Sequence, residues 1–276
     1  MSDPITLAVL AGAAAGGAAG KFTEIAVESG KQWIGKYFNN HQPKAQEKAQ
    51  QNGLDFLVEL STRVKVLEES HTVTQEKIAK IQEDPDFSAA LQKALISSAQ
   101  TENKEKHQVL ADILVQRLTA DSESVLALTT KMSLDVVSFL TPNQLNILAV
   151  SGIFYLLQPN TTLNSFMYEE WLINTFHPFI DTKIGVMDLN HLESLSCIRI
   201  SPMISKDFRQ TLKMKNHNTS VSIGFFDTPE AKKIEYLFKN RLEHLELTTI
   251  GMLIAVTMFN LKSSTPTPIT GNLFED

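Results

Sequence analysis

Apolar residues return every three or four positions along most of this chain, and that period constrains its fold more than any other feature. Over residues 5–38, Leu7, Leu10, Phe22, Ile25, Ala26, Trp33, Ile34, Tyr37 and Phe38 keep the period, which predicts one long helix or two collinear ones. The turn cluster NNHQPK at 39–44 ends it. A second long helix is expected over 45–83, where Leu54, Leu57, Val58, Leu60, Val64, Leu67, Val73 and Ile78 stand among many charges. Asp84-Pro85 marks a boundary, with proline suited to a first helical turn. Amphipathic helices are then expected over 86–101, 104–120 and 122–140.

Thr141-Pro142 opens a further helix, with threonine as N-cap and proline at the first helical position. Residues 165–180, 188–196, 229–245 and 248–261 also read as helices. Only CIRIS (197–201) and SVSIGFF (220–226) alternate as strands do. The expected fold is mainly α: a multi-helix bundle with a C-terminal winged-helix-like α/β module and an N-terminal Gly/Ala-rich helix. Four parts are expected: a glycine-zipper helix (1–40), a helical domain (41–140), the winged-helix-like module (141–262) and a flexible tail (263–276).

A chain of 276 residues can bury a sizeable core. Its net charge of −6 gives no global basic field for nucleic acid or anionic lipid. The single cysteine, Cys197, has no partner for an internal disulfide or a multi-cysteine zinc site. The N-terminal MSDP carries Asp3 and no lysine or arginine, unlike the basic start of a secretory signal. The expected location is the cytoplasm, with association at the inner membrane.

The stretch ITLAVLAGAAAGGAAGKF at 5–22 sets Ala8, Gly12, Gly16 and Gly20 four residues apart. On a helix these fall along one line, and side chains this small let two backbones approach closely. In water each glycine costs about 1 kcal/mol relative to alanine, so such a line calls for a partner surface. Ile5 to Gly20 spans about 24 Å as a helix, less than a hydrocarbon core of roughly 30 Å. Extension to Val27 brings in Lys21 and Glu24. Trp33 and Tyr37, among Lys31 and Lys36, suit a membrane interface. The same stretch also fits a helix packed tightly into a bundle, and both readings stand at this level.

Catalytic signatures are missing. There is no Walker A, G-x-G-x-x-G or G-x-S-x-G motif. The seven histidines are scattered, and none forms H-E-x-x-H. Glu169 and Glu170 are adjacent and so point to different helix faces. Cys197 begins an apolar strand, where cysteine is a small core residue. No enzyme, metal or cofactor is therefore expected. A winged-helix regulator would read bases from 188–196, yet that helix offers Asn190 and His191 beside Asp188 and Glu193, with no lysine or arginine. Lys206, Arg209, Lys213 and Lys215 lie beyond it and could touch phosphate. Nucleic acid is not the expected partner.

NHLESLSCIRI (190–200), LELTTIGMLIAVTMFN (245–260) and the L-x-P-x-x-x-x-I-L pattern entered from 107–149 resemble the abortive-infection alpha (Abi-alpha) proteins of bacteria. The resemblance covers about residues 86–262 and departs at Ser196, where the family pattern has glycine. It implies a non-enzymatic anti-phage role and brings no catalytic residues. Joined to the glycine spacing, it leads to an expected effector that self-assembles through its first helix at the membrane and takes its trigger from a protein partner. The alternatives are a cytosolic helical interaction module whose first helix is core, or a winged-helix regulator.

Overall fold

The computed structural model describes residues 32–70, 84–121, 123–217 and 219–263. The chain divides into two compact units, one ending at Phe139 and the next beginning at Leu140. Both are mainly helical.

In the first unit, helical residues 32–37 lead through a turn into α1 (Pro43–Glu69), followed by α2 (Pro85–Ala99), α3 (Lys104–Thr119) and α4 (Val125–Phe139). The expected helix over 45–83 is realised as far as Glu69; residues 71–83 lie outside the described residues. Each helix turns an apolar stripe inward. Phe56, Leu60 and Val64 of α1, Phe87, Leu91 and Leu95 of α2, and Leu110, Ile113 and Leu114 of α3 are buried together in this unit. The starts of α2 and α3 are fixed by side-chain caps. Asp84 accepts from the Asp86 N–H at 2.9 Å and Asn103 from the Lys106 N–H at 2.9 Å. Arg63 of α1 pairs with Asp112 of α3 and with Glu59 one turn earlier, the latter at 2.5 Å.

The second unit runs α5 (Pro142–Tyr155), α6 (Ser165–Phe176) with a 3₁₀ turn at His177–Phe179, α7 (Val186–Ser194), β1 (Ile198–Ile200), α8 (Phe208–Lys215), a 3₁₀ turn at Ile223–Asp227, α9 (Pro229–Lys239), a 3₁₀ turn at Leu242–His244, β2 (Leu245–Leu247) and α10 (Thr249–Lys262). Helices α5 and α10 are apolar nearly all round and form the axis of the unit. Their crossing is close at Gly152, where a Cβ would stand 2.9 Å from that of Ala255. Thr141 caps α5 as the sequence predicts, in a reciprocal capping box with Gln144.

Three local expectations are corrected. SVSIGFF is not a strand: Ile223–Asp227 is a 3₁₀ turn that buries Phe225 and leaves Ile223 almost fully exposed. The Ser222 N–H that a strand partner would take is bonded to Glu169 at 2.6 Å. The partner of β1 is β2, antiparallel, with Ile198 opposite Leu247 and Arg199 opposite Glu246. Residues 240–245 accordingly leave the helix expected over 229–245. Helix α9 ends at Lys239, and Arg241 takes the left-handed conformation (φ 74°) that turns the chain into β2. The module is thus a helical unit with a small two-stranded sheet, and the wing expected from 197–201 and 220–226 does not form. Helix α8 has no counterpart in the periodicity reading.

Candidate functional site

Ala8, Gly12, Gly16 and Gly20 lie outside the described residues. The two aromatic residues expected at a membrane interface are described. Ile34 and Phe38 are buried, and the chain is drawn close to α1 at Gly53, whose Cβ would fall 2.2 Å from Ile34 Cδ1. Gln46 Nε2 donates to the Gly35 carbonyl at 3.1 Å. Trp33 and Tyr37 sit one turn apart on a different side of the same helix and stack, centroids 5.7 Å apart and planes 14° apart. Tyr37 and Lys36 are exposed. The turn therefore presents two aromatic rings and a cation while its other face is core. Among the described residues no helix is long and apolar enough to cross a membrane.

Two of the three stretches that carry the Abi-alpha resemblance, 190–200 and 245–260, meet in space, although about 50 residues separate them. The Cys197 carbonyl at the start of β1 accepts from the Thr248 N–H at 3.1 Å and from the Thr248 hydroxyl at 3.0 Å. Thr248 is also the N-cap of α10, its Oγ1 accepting from the Gly251 N–H at 3.2 Å. At Gly251 a Cβ would stand 1.9 Å from the Cys197 oxygen. The run LTTIG at 247–251 thus has a physical content: Thr248 caps the helix and grips the strand, and Gly251 leaves room for that strand's carbonyl. Cys197 itself is wholly buried and its thiol is pushed up to about 12 by that burial, as suits a core residue rather than a nucleophile.

Ser196, where the family pattern has glycine, adopts φ 57°. A residue with a Cβ is disfavoured there by roughly 1 kcal/mol. Ser196→Gly is therefore expected to stabilise the protein by up to about 1 kcal/mol, read as a higher denaturant midpoint. An unchanged or lower midpoint would mean that glycine's greater freedom in the unfolded chain outweighs the relieved strain.

The residues of the candidate nucleic-acid face are held at several different places in the second unit. In α7, Asp188 accepts from Gln144 Nε2 at 3.1 Å, His191 Nδ1 lies 3.2 Å from Gln144 Oε1, and Glu193 accepts from the Ile200 N–H at 2.9 Å. These three side chains dock the helix, while Asn190 is exposed. The four basic residues diverge. Lys206 Nζ lies over the Tyr155 ring at 3.8 Å and donates to the Leu245 carbonyl at 2.5 Å, and Arg209 lies over Phe226 at 4.3 Å. Lys213 is exposed, and Lys215 is buried.

Lys215, which the sequence placed only among possible phosphate contacts, is instead a buried functional candidate. Phe208, Leu212 and Lys215 are spaced four and three apart, so one face of α8 carries all three inward. A lysine on that register was the available signal. Three side-chain bonds to backbone carbonyls fasten the helix: Tyr168 hydroxyl to Leu212 at 2.6 Å, Lys215 Nζ to Phe154 at 3.1 Å, and Asn216 Nδ2 to Leu163 at 2.8 Å. Burial pulls the Lys215 amine down to about 7. Beside it lies a cavity of about 450 Å³ lined by Phe154, Tyr155, Lys206, Asp207, Thr211, Met214 and others. Among the described residues no cluster of three or more His, Cys, Asp or Glu is placed to hold a metal ion.

No curated protein and no solved structure matches the chain. A family model does match, over residues 20–227. Its description, ":-like", names no activity or ligand, and the match spans both units. The chain belongs to the family that this model defines.

Proposed function

We propose that this protein is a bacterial anti-phage effector that acts without catalysis, its glycine-spaced N-terminal segment associating with further copies at the inner membrane. The observation that carries the reading is the Trp33–Tyr37 stack beside exposed Lys36, directly after that segment. Aromatic rings and cations are the side chains that anchor at a lipid–water boundary. The Abi-alpha resemblance is supported by the junction of Cys197 with Gly251 and by the left-handed Ser196, which stands where that family pattern has glycine. In this reading the helical units hold the effector segment until a protein trigger acts, and nucleic acid has no part.

Ile34 and Phe38 are core residues, so a truncation that tests the effector segment must stop before them. In cells expressing the full chain, Gly16→Leu and deletion of residues 2–20 are expected to abolish growth arrest and recovery in the membrane fraction. The far-UV circular dichroism of the helical units should persist. Growth arrest that survives Gly16→Leu would sink the glycine-zipper reading.

A second reading, a cytosolic helical interaction module, is favoured by α4. Val125, Leu128, Met132 and Phe139 are each at least half exposed and recur at spacings of three, four and seven. Such a stripe is larger than scattered surface apolars require. A soluble, harmless full-length protein would favour this alternative.

A further inference from the structure

The amine of Lys215 is set up unlike any other lysine described. The residue is 4% exposed, its Nζ donates to one carbonyl, Phe154 O, and among the described residues no carboxylate offsets its burial. The ring of Phe154, the residue whose carbonyl accepts from Lys215 Nζ, packs against Phe176 at 4.7 Å, Phe238 at 5.1 Å and Phe208 at 6.5 Å in an aromatic cluster. Beside this cluster is the cavity of about 450 Å³, within the range of small-molecule pockets.

We infer that this cavity is a capture site for a small aromatic aldehyde or ketone, which Lys215 Nζ holds as an imine. The inference stands apart from the membrane reading, since it concerns only the second unit. The cavity wall is mainly apolar, and its charged residues, Lys206 and Asp207, are of opposite sign, so an uncharged ring system suits it. Tyr155, the remaining titratable group of the wall, donates its hydroxyl to the Leu242 carbonyl at 2.5 Å and is held protonated by burial. Lys206 is likewise occupied, by the Leu245 carbonyl and the Tyr155 ring. The group left to react is the amine of Lys215, which at neutral pH keeps a lone pair once burial has lowered its proton affinity.

The step balances without a co-reactant. The nitrogen lone pair adds to the carbonyl carbon, and the carbonyl π pair moves to oxygen. Both amine protons pass to that oxygen, which leaves as water, and C=N remains. Nothing is oxidised or reduced.

The test uses the intact protein with benzaldehyde and sodium cyanoborohydride at pH 7.5, followed by peptide mass mapping. Lys213, exposed on the same helix, is the internal reference. Lys215 is expected to be benzylated at least about tenfold faster than Lys213, with the ratio falling as the pH approaches 10. Thr211→Phe fills the cavity wall and should remove the excess labelling while the circular dichroism is unchanged. Equal labelling of the two lysines would overturn the inference. So would excess labelling that persists in Thr211→Phe, because the aldehyde would then arrive by local opening of the fold rather than through the cavity.

Discussion

Gly251→Ala is expected to cost more than about 3 kcal/mol and to lower the melting temperature by about 10 °C or more. In an exposed helix this substitution gains about 1 kcal/mol, so the sign rests on the tertiary contact. The added Cβ would lie 1.9 Å from the Cys197 oxygen and 2.9 Å from its carbonyl carbon. Both are backbone atoms, and that backbone is pinned: the Cys197 N–H bonds to the Leu192 carbonyl at 2.9 Å, while its oxygen holds Thr248. No rotamer change relieves the clash, so α10 has to leave β1. Gly224→Ala is the control, since nothing lies within 4 Å of a Cβ there, and it should change stability by less than about 0.5 kcal/mol. A thermal melt in which the two variants behave alike would mean that α10 is not seated against β1.

Asp84→Ala is expected to cost about 3 kcal/mol, in two parts. One carboxylate oxygen caps α2 through the Asp86 N–H, and losing such a cap costs about 1 kcal/mol. The other faces Arg117 Nη2 at 3.3 Å. The Arg117 side chain is 4% exposed and, among the described residues, its Nε has no hydrogen-bond partner, so without Asp84 its charge keeps, among those residues, Asp86 at 3.5 Å. A buried charge stripped of its partner is far more costly than a surface pair. Asp84→Asn retains a capping oxygen and should fall between wild type and alanine. In Asp84→Ala with Arg117→Met, the costs should be less than additive by at least about 1 kcal/mol, measured by urea unfolding. Additive costs would show that the cap carries the whole effect.

The failed expectations share a cause. SVSIGFF has the alternation of a strand, but alternation does not choose a partner: β1 pairs with Leu245–Leu247, and the Ser222 N–H is bonded to Glu169. Helix α8 escaped notice because its apolar face has only Phe208 and Leu212, and the third inward position is a lysine. The basic group 206–215 suggested a phosphate contact by composition alone. Its side chains are instead directed to two aromatic rings, to solvent and to a carbonyl of α5.

What the sequence by itself determined is what neighbouring residues decide. The mainly helical class follows from the three- and four-residue period. The starts of α2 and α5 follow from Asp84-Pro85 and Thr141-Pro142, because a cap is made between residues two or three apart. Only the tertiary structure decided which strand pairs with β1, why position 251 is glycine, and that Lys215 is buried beside a cavity. Each of those depends on groups about 50 or more residues away in the chain. A carbonyl at van der Waals distance, a strand's partner and a dehydrated amine are properties of such distant contacts, and no local pattern encodes them.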